Sequence, residues 1–195
     1  MTVPLRLAVF CSGNGSNFEA IIRSIRNKKL KADIALLVCD NPKANAIRRA
    51  AKQGVPAVVV SPKLFNSRLD YEKFILRILK NQKIDLIVLA GFMRILTPHF
   101  IRTYRNKILN VHPSLLPAFK GAHAIRDAWN AGVKETGVTV HIVTEKLDSG
   151  PILTQKKVSI SKKETLRSLE AKVHQLEHHL YPSAITHFLY RMRPV

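Results

Sequence analysis

Leu5-Arg-Leu-Ala-Val-Phe-Cys11, followed at once by Ser12-Gly-Asn-Gly-Ser-Asn17, is the stretch that decides the fold. Its first half is short and apolar, the character of a strand buried on both faces. Its second half supplies glycines for a tight turn and then opens a helix pattern from Phe18 to Lys29. The alternation recurs downstream. Asp33–Cys39, Val55–Val60 and Ile84–Ala90 are strand-like, while Ala44–Gln53, closed by Gly54, and Ser67–Lys80 carry helix patterns. Such alternation predicts an α/β class: a single Rossmann-like domain over residues 1–195, its sheet mostly parallel with helices on both faces. Gly137–Thr144 and Pro151–Ile160 follow each other across a short loop and predict an antiparallel extension near the C-terminus. A last helix is expected from Glu164 to Leu180, stopped by Pro182.

Bulk properties narrow the class. A chain of 195 residues, 46% hydrophobic and 23% charged, is ordinary for one globular domain. No apolar run reaches membrane-spanning length, and no signal-peptide core precedes the first strand, so a cytoplasmic protein without membrane partners is expected. Cys11 and Cys39 cannot make a disulfide framework and read as free thiols. The net charge of +19 raises the question of nucleic acid, but the cations are spread through helices and loops without a basic tail or an RNA-binding aromatic motif. A solvated basic surface, with no nucleic-acid partner, is the expectation. The chain is expected to act as a monomer or homodimer.

Asn110-Val-His112-Pro-Ser-Leu-Leu-Pro117 carries the chemistry. Asn110 and His112 lie two apart on a short strand and share one face, and Pro113 ends the ladder there. With Asp148 in the later Leu147-Asp-Ser-Gly-Pro151 loop, they form a neutral donor, a titratable imidazole and a carboxylate. That set suits stabilising an oxyanion and moving a proton. Neither Ser114 nor Cys11 has an evident base partner, so no covalent intermediate is expected. In a parallel sheet, ligands bind outside the carboxyl ends of the strands, so segments ending at Cys11, Gly91 and His112 should border one cleft.

Two patterns mislead. Ser12–Asn17 resembles a dinucleotide fingerprint, with Asp40 placed as a ribose-binding acid, but Phe18 stands where close helix packing needs glycine. The better reading is an anion held by amides at the helix start, with Ser16 or Asn17 as N-cap. His174-Gln-Leu-Glu177-His178 matches a zinc-protease pattern, yet no carboxylate follows Glu177 as a third ligand, so no metal is expected.

Leu89-Ala-Gly-Phe-Met-Arg-Ile-Leu96, Asn110–Pro117 and Gly137-Val-Thr-Val-His141 leading to Leu147–Pro151 together resemble the folate-dependent formyltransferase family. The likeness runs from about Arg6 to Pro182, and Ser12–Asn17 is similar to the purine-pathway branch. The resemblance implies formyl transfer from 10-formyltetrahydrofolate, as cosubstrate, to the amine of glycinamide ribonucleotide in de novo purine biosynthesis. It implies that Asn110, His112 and Asp148 are catalytic. Gly15, Ser16, Asn17 and Glu177 would hold the nucleotide acceptor. Arg68, Met93, Arg94, Ile95, Leu96, Asn110, Thr144, Glu145, Lys146 and Leu147 would hold the folate. Apart from the resemblance, Met93, Ile95 and Leu96 read as core and Arg68 as an exposed helical arginine. His141 reads as a packed histidine supporting the loop. A methionyl-tRNA formyltransferase is disfavoured because the sequence ends at Val195, and a formyltetrahydrofolate hydrolase because the glycine-rich loop suits a phosphorylated acceptor.

Overall fold

A computed structural model describes residues 4–192. Seven strands form one sheet: β1 (Leu5–Cys11), β2 (Ala32–Cys39), β3 (Ala57–Val59), β4 (Leu86–Leu89), β5 (Ile108–His112), β6 (Glu135–Ile142) and β7 (Ile152–Ser159). Their order is β3-β2-β1-β4-β5-β6-β7. The first five strands are mutually parallel, and β6 and β7 join antiparallel, as the short loop between them predicts. Six helices cover the sheet: α1 (Ser16–Arg26), α2 (Asn45–Gln53), α3 (Arg68–Asn81), α4 (Pro98–Thr103), α5 (Ala124–Asn130) and α6 (Leu166–Met192). The alternating side chains of the strands feed two cores. Leu7, Val9, Leu37, Val88, Leu109 and Val111 face α1, α2 and α6, while Ala8, Phe10, Val38, Ile87, Leu89 and Ile108 face α3 and α4.

The chain winds outward from β1 to β3, then returns to place β4 on the other side of β1. Strand order therefore switches between β1 and β4, where the loops after them diverge and leave a crevice. Ser12 stitches the two loops: its N–H donates to the Gly91 carbonyl at 3.0 Å, and its hydroxyl accepts from the Met93 N–H at 2.9 Å. Both sheet edges are guarded. β3 has only three residues, and β7 exposes Gln155, Lys156 and Lys157.

Two sequence expectations fail. Helix α1 begins at Ser16 and is capped by Gly15 in the left-handed region (φ 76°), so neither Ser16 nor Asn17 is the N-cap. A β-carbon on Gly15 would meet the Ala46 side chain at 2.8 Å, so close approach of α2 also demands glycine there. Helix α6 does not stop before Pro182; it runs through it to Met192. Proline lacks the N–H that would reach the His178 carbonyl, but its ring fixes φ near the helical value. Burial of Tyr181, Ala184, Ile185 and Leu189 beyond the interruption offsets that lost bond. Helices α4 and α5 are too short for a periodic signal, and the sequence reading leaves them as loop. Both cysteines are free and buried. Among the described residues no helix is long and apolar enough to cross a membrane.

Tyr181 connects α6 to the strands that matter. Its buried hydroxyl reaches the carbonyls of Leu89 at 3.0 Å and Leu109 at 2.9 Å, spanning β4 and β5 one residue before Asn110. Desolvation holds its phenol far above the ordinary tyrosine range, so it remains a donor. Tyr181→Phe should cost about 1–3 kcal/mol. Urea unfolding should show a lower midpoint at unchanged slope.

Candidate active site

At the end of β1, Cys11 and the turn through Asn17 form one wall of a 450 Å³ cavity. Ala90, Gly91 and Met93 form the wall after β4, Val111 and Pro113 the wall after β5, and Glu177 on α6 closes the side. The three strand ends thus converge as the fold rule predicts. Gly15, Ser16, Asn17 and Glu177 all line this cavity. Glu177 is buried, and its Oε2 accepts from Asn17 Nδ2 at 3.0 Å and from His174 Nδ1 at 2.9 Å. That hydrogen bond raises the His174 pKa, against a smaller opposing effect of burial. Asn17 Oδ1 is buried without a protein partner, so the side chain keeps an acceptor on the cavity wall. Of the two histidines in the zinc-protease pattern, His174 lines this cavity and His178 a separate groove.

Asn110 and His112 extend from the opposite face of β5, the face of Ile108. Register pairs Asn110 with His141 and His112 with Thr139 on β6. Asn110 Nδ2 donates to His141 Nε2 at 3.2 Å, and His141 Nδ1 donates to the Ile142 carbonyl at 3.0 Å. This fixes His141 as the neutral Nδ1–H tautomer. Its pKa is lowered, chiefly by desolvation, with the Asp148 charge opposing that shift. One Asn110 amide hydrogen is spent on His141, which orients the amide plane and leaves the second hydrogen free.

Asp148 completes the group. Its side chain is 8% exposed, with Oδ2 at 3.6 Å from His112 Nδ1 and Oδ1 at 3.7 Å from His141 Nε2. The Gly121 N–H donates to Oδ2 at 2.9 Å. His112 Nε2 donates to the Phe119 carbonyl at 2.8 Å, so Nδ1 is the nitrogen that faces the carboxylate. Phe119, Gly121 and Asp148 all take positive φ, a strained path concentrated around these groups. A β-carbon on Gly150 would stand 1.8 Å from the Ile142 carbonyl, so only glycine lets the Asp148 loop lie so close to β6. Ser114, bonded to the Ala118 carbonyl at 2.6 Å, has no base beside it.

The proposed folate residues are divided. Arg68, Arg94 and Leu96 line a smaller 240 Å³ cavity with Phe65, Tyr71 and Glu72. Arg68 Nε lies 3.5 Å from Glu72 Oε1, and the Arg94 guanidinium binds Asp40 Oδ2 at 2.8 Å. Arg94 therefore has its charge committed, and Asp40 is a structural partner rather than a turn residue alone. Leu96 is buried, whereas Met93 is 68%, Ile95 58% and Leu147 46% exposed. Thr144 caps the Lys146 carbonyl at 3.3 Å, and Glu145 pairs with Arg102 on α4 at 3.1 Å. Sequence reasoning misses Glu72, a buried acid that accepts from the Thr97 N–H at 3.0 Å and from its hydroxyl. It also misses His123 and Arg126, which line the larger cavity from α5. Only the Lys120-Gly121 turn signals that segment.

Residues 5–185 match the formyl transferase family. The chain belongs to that family. It is 45% identical over 184 residues to the phosphoribosylglycinamide formyltransferase of Bacillus subtilis (strain 168), covering 94% of each. It is 40% identical to the trifunctional purine biosynthetic protein adenosine-3 of Gallus gallus, covering 94% of this chain and 18% of that protein. The crystal structure of glycinamide ribonucleotide transformylase 1 from Geobacillus kaustophilus superposes with a TM-score of 0.94 at 50% identity, covering 96% of this chain and 100% of that one. For this formyltransferase-family chain, the neutral His141 makes a specific prediction. Protonation below its lowered pKa would remove the acceptor that orients Asn110, so turnover should fall on the acid side. His141→Phe should lower kcat about tenfold at neutral pH, the loss of one hydrogen bond's worth of orientation. His141→Gln, with an acceptor at every pH, should restore much of it and shift the acid limb downward in a pH–rate profile.

Proposed function

We propose that this chain transfers the formyl group of 10-formyltetrahydrofolate to the primary amine of glycinamide ribonucleotide, a step of de novo purine biosynthesis. Residues 1–195 would act as one formyltransferase domain in the cytoplasm. The observation that carries the reading is the placement of Asn110, His112 and Asp148 on β5 and its neighbouring loop, one residue out of phase with the Val111 and Pro113 that wall the 450 Å³ cavity. The acceptor's phosphate fits the amides of Gly15, Ser16 and Asn17 at the start of α1. Its ribose fits Glu177, the acceptor already held by Asn17 and His174.

The donor's flat ring fits the exposed apolar side chains Met93, Ile95 and Leu147, which otherwise face water. Backbone groups of Arg94, Leu96 and the Thr144–Asp148 loop are available to its polar edge, and Arg68 lies at the outer cavity for a carboxylate. The donor supplies the formyl carbon that the amine attacks. Negative charge then develops on the formyl oxygen, where the free Asn110 amide hydrogen donates; His112 Nδ1, the ring nitrogen not bonded to Phe119, supplies a second N–H when the ring is protonated. Asp148 accepts the amine's proton, directly or through water, and restrains His112 at its Nδ1. Collapse of the tetrahedral adduct breaks the bond between the formyl carbon and N10, the proton taken up by Asp148 passes to N10, and tetrahydrofolate leaves; no protein nucleophile takes part.

Purified protein with 10-formyltetrahydrofolate should turn over only when glycinamide ribonucleotide is present. Acceptor-independent loss of the formyl group would instead make it a hydrolase. Asn110→Ala and His112→Ala should each lower kcat about a hundred- to a thousand-fold, with circular dichroism unchanged. Glu177→Ala should raise the acceptor KM well above any change in the folate KM. A uniform rise in both would remove Glu177 from the acceptor site.

A further inference from the structure

A second cavity beside α6 is larger than the one at the strand ends. It is a 540 Å³ groove between the outer surfaces of α1 and α6. Arg23, Lys29, His178, His179 and His187 line it, and among the described residues no aspartate or glutamate does. Cations near the end of α1 are expected from the helix dipole, and Arg23 lies in its last turn. The three histidines have no such explanation, because they come from the middle of α6, on both sides of Pro182.

We propose that this groove is a second binding site, for a small phosphate anion of several charges such as a diphosphate or a phosphorylated metabolite. The neighbouring acid, Glu177, points to the opposite side of α6, where Asn17 and His174 occupy its Oε2. It leaves the groove uniformly basic. His187 donates from Nδ1 to the Ser183 carbonyl at 2.8 Å, which fixes the ring and leaves Nε2 for a ligand. His178 Nε2 is buried without a hydrogen-bond partner among the described residues, so this lining residue carries an unsatisfied ring nitrogen. Asn27 and Gln175 add amide donors along the same walls. A volume of 540 Å³ is in the range of small-molecule sites, and a lining that brings Arg23, Lys29 and three histidines together suits a phosphate.

The groove also carries a proton linkage. Burial holds the His178 imidazole below the ordinary histidine range; His174, Arg23 and His179 add like charge, and Glu177 opposes them. Lys29 and His187 face the same groove. An anion there reverses the balance and favours the imidazolium, so binding takes up a proton and tightens as the pH falls. Position adds consequence. The helices that form the groove also present Asn17 and Glu177 to the acceptor cavity, one on each.

The test is a titration of the intact protein with inorganic pyrophosphate, following histidine ring signals by NMR. His174 reports the acceptor cavity; His178, His179 and His187 report the groove. The three groove signals should move together and saturate, with affinity rising from about pH 8 to about pH 6. Arg23→Gln combined with His187→Gln, two exposed positions outside the catalytic group, should weaken binding about tenfold or more while turnover and the unfolding midpoint stay unchanged. The proposal is overturned if only His174 responds, if potassium chloride at equal ionic strength reproduces the shifts, or if the double variant binds pyrophosphate like the parent.

Discussion

A nearly buried carboxylate, that of Asp148, sets the terms for the rest of this molecule. A charge removed from water is costly unless neighbouring groups compensate it. Here the groups around it come from three separate segments: the Gly121 N–H donates to it, while His112 on β5 and His141 on β6 face it at 3.6 and 3.7 Å. Each then constrains something else. His141 must be neutral and turned toward Asn110, the 119–121 turn must adopt positive φ, and position 150 must be glycine to let the loop lie against β6. The antiparallel strands at the end of the sheet therefore help to hold the group formed by Asn110, His112 and Asp148. Without β6 beside β5, Asn110 would have no brace and Asp148 no second imidazole.

Much of this was legible in the order of residues. Alternating apolar runs and helix patterns predict the parallel sheet, and the short connection between Gly137–Thr144 and Pro151–Ile160 predicts its antiparallel extension. Asn110 and His112 are two apart, which places them on one face whatever the surroundings. Less visible was that this face is opposite to the one walling the 450 Å³ cavity, because Val111 and Pro113 intervene there. Strand alternation states which side chains travel together but not which layer they meet. Pro182 shows the reverse failure: a local rule predicts a helix end, and packing of the residues beyond it prevails. Glu72 and Tyr181 were illegible for a plainer reason, since their partners Thr97, Leu89 and Leu109 lie 25 to 92 positions away.

The charge of +19 acquires a location in the same way. Some of it is spent in pairs: Arg94 on Asp40, Arg6 on Asp33, Arg102 on Glu145. Exposed pairs of this kind contribute little to stability, but Arg94 and Asp40 join the loops after β4 and β2 beside the crevice, and so bear on its shape. The remaining cations lie on helix surfaces, turns and the outer strand β7, and composition alone gives no hint that Arg23 and Lys29 share one groove with three histidines. Only the parallel course of α1 and α6 brings them together.

The two ends of the sheet have a bearing on how copies of the chain behave toward one another. An open seven-stranded sheet presents unpaired backbone groups at each margin, and a flat margin invites another chain to continue the ladder. In this molecule one margin, β3, is three residues long, and the other, β7, carries adjacent lysines at its middle. A newcomer at β3 would gain few bonds, and a newcomer at β7 would meet like charge. Crowded protein is thereby guarded against edge-to-edge stacking, and the basic character of the surface adds repulsion between copies.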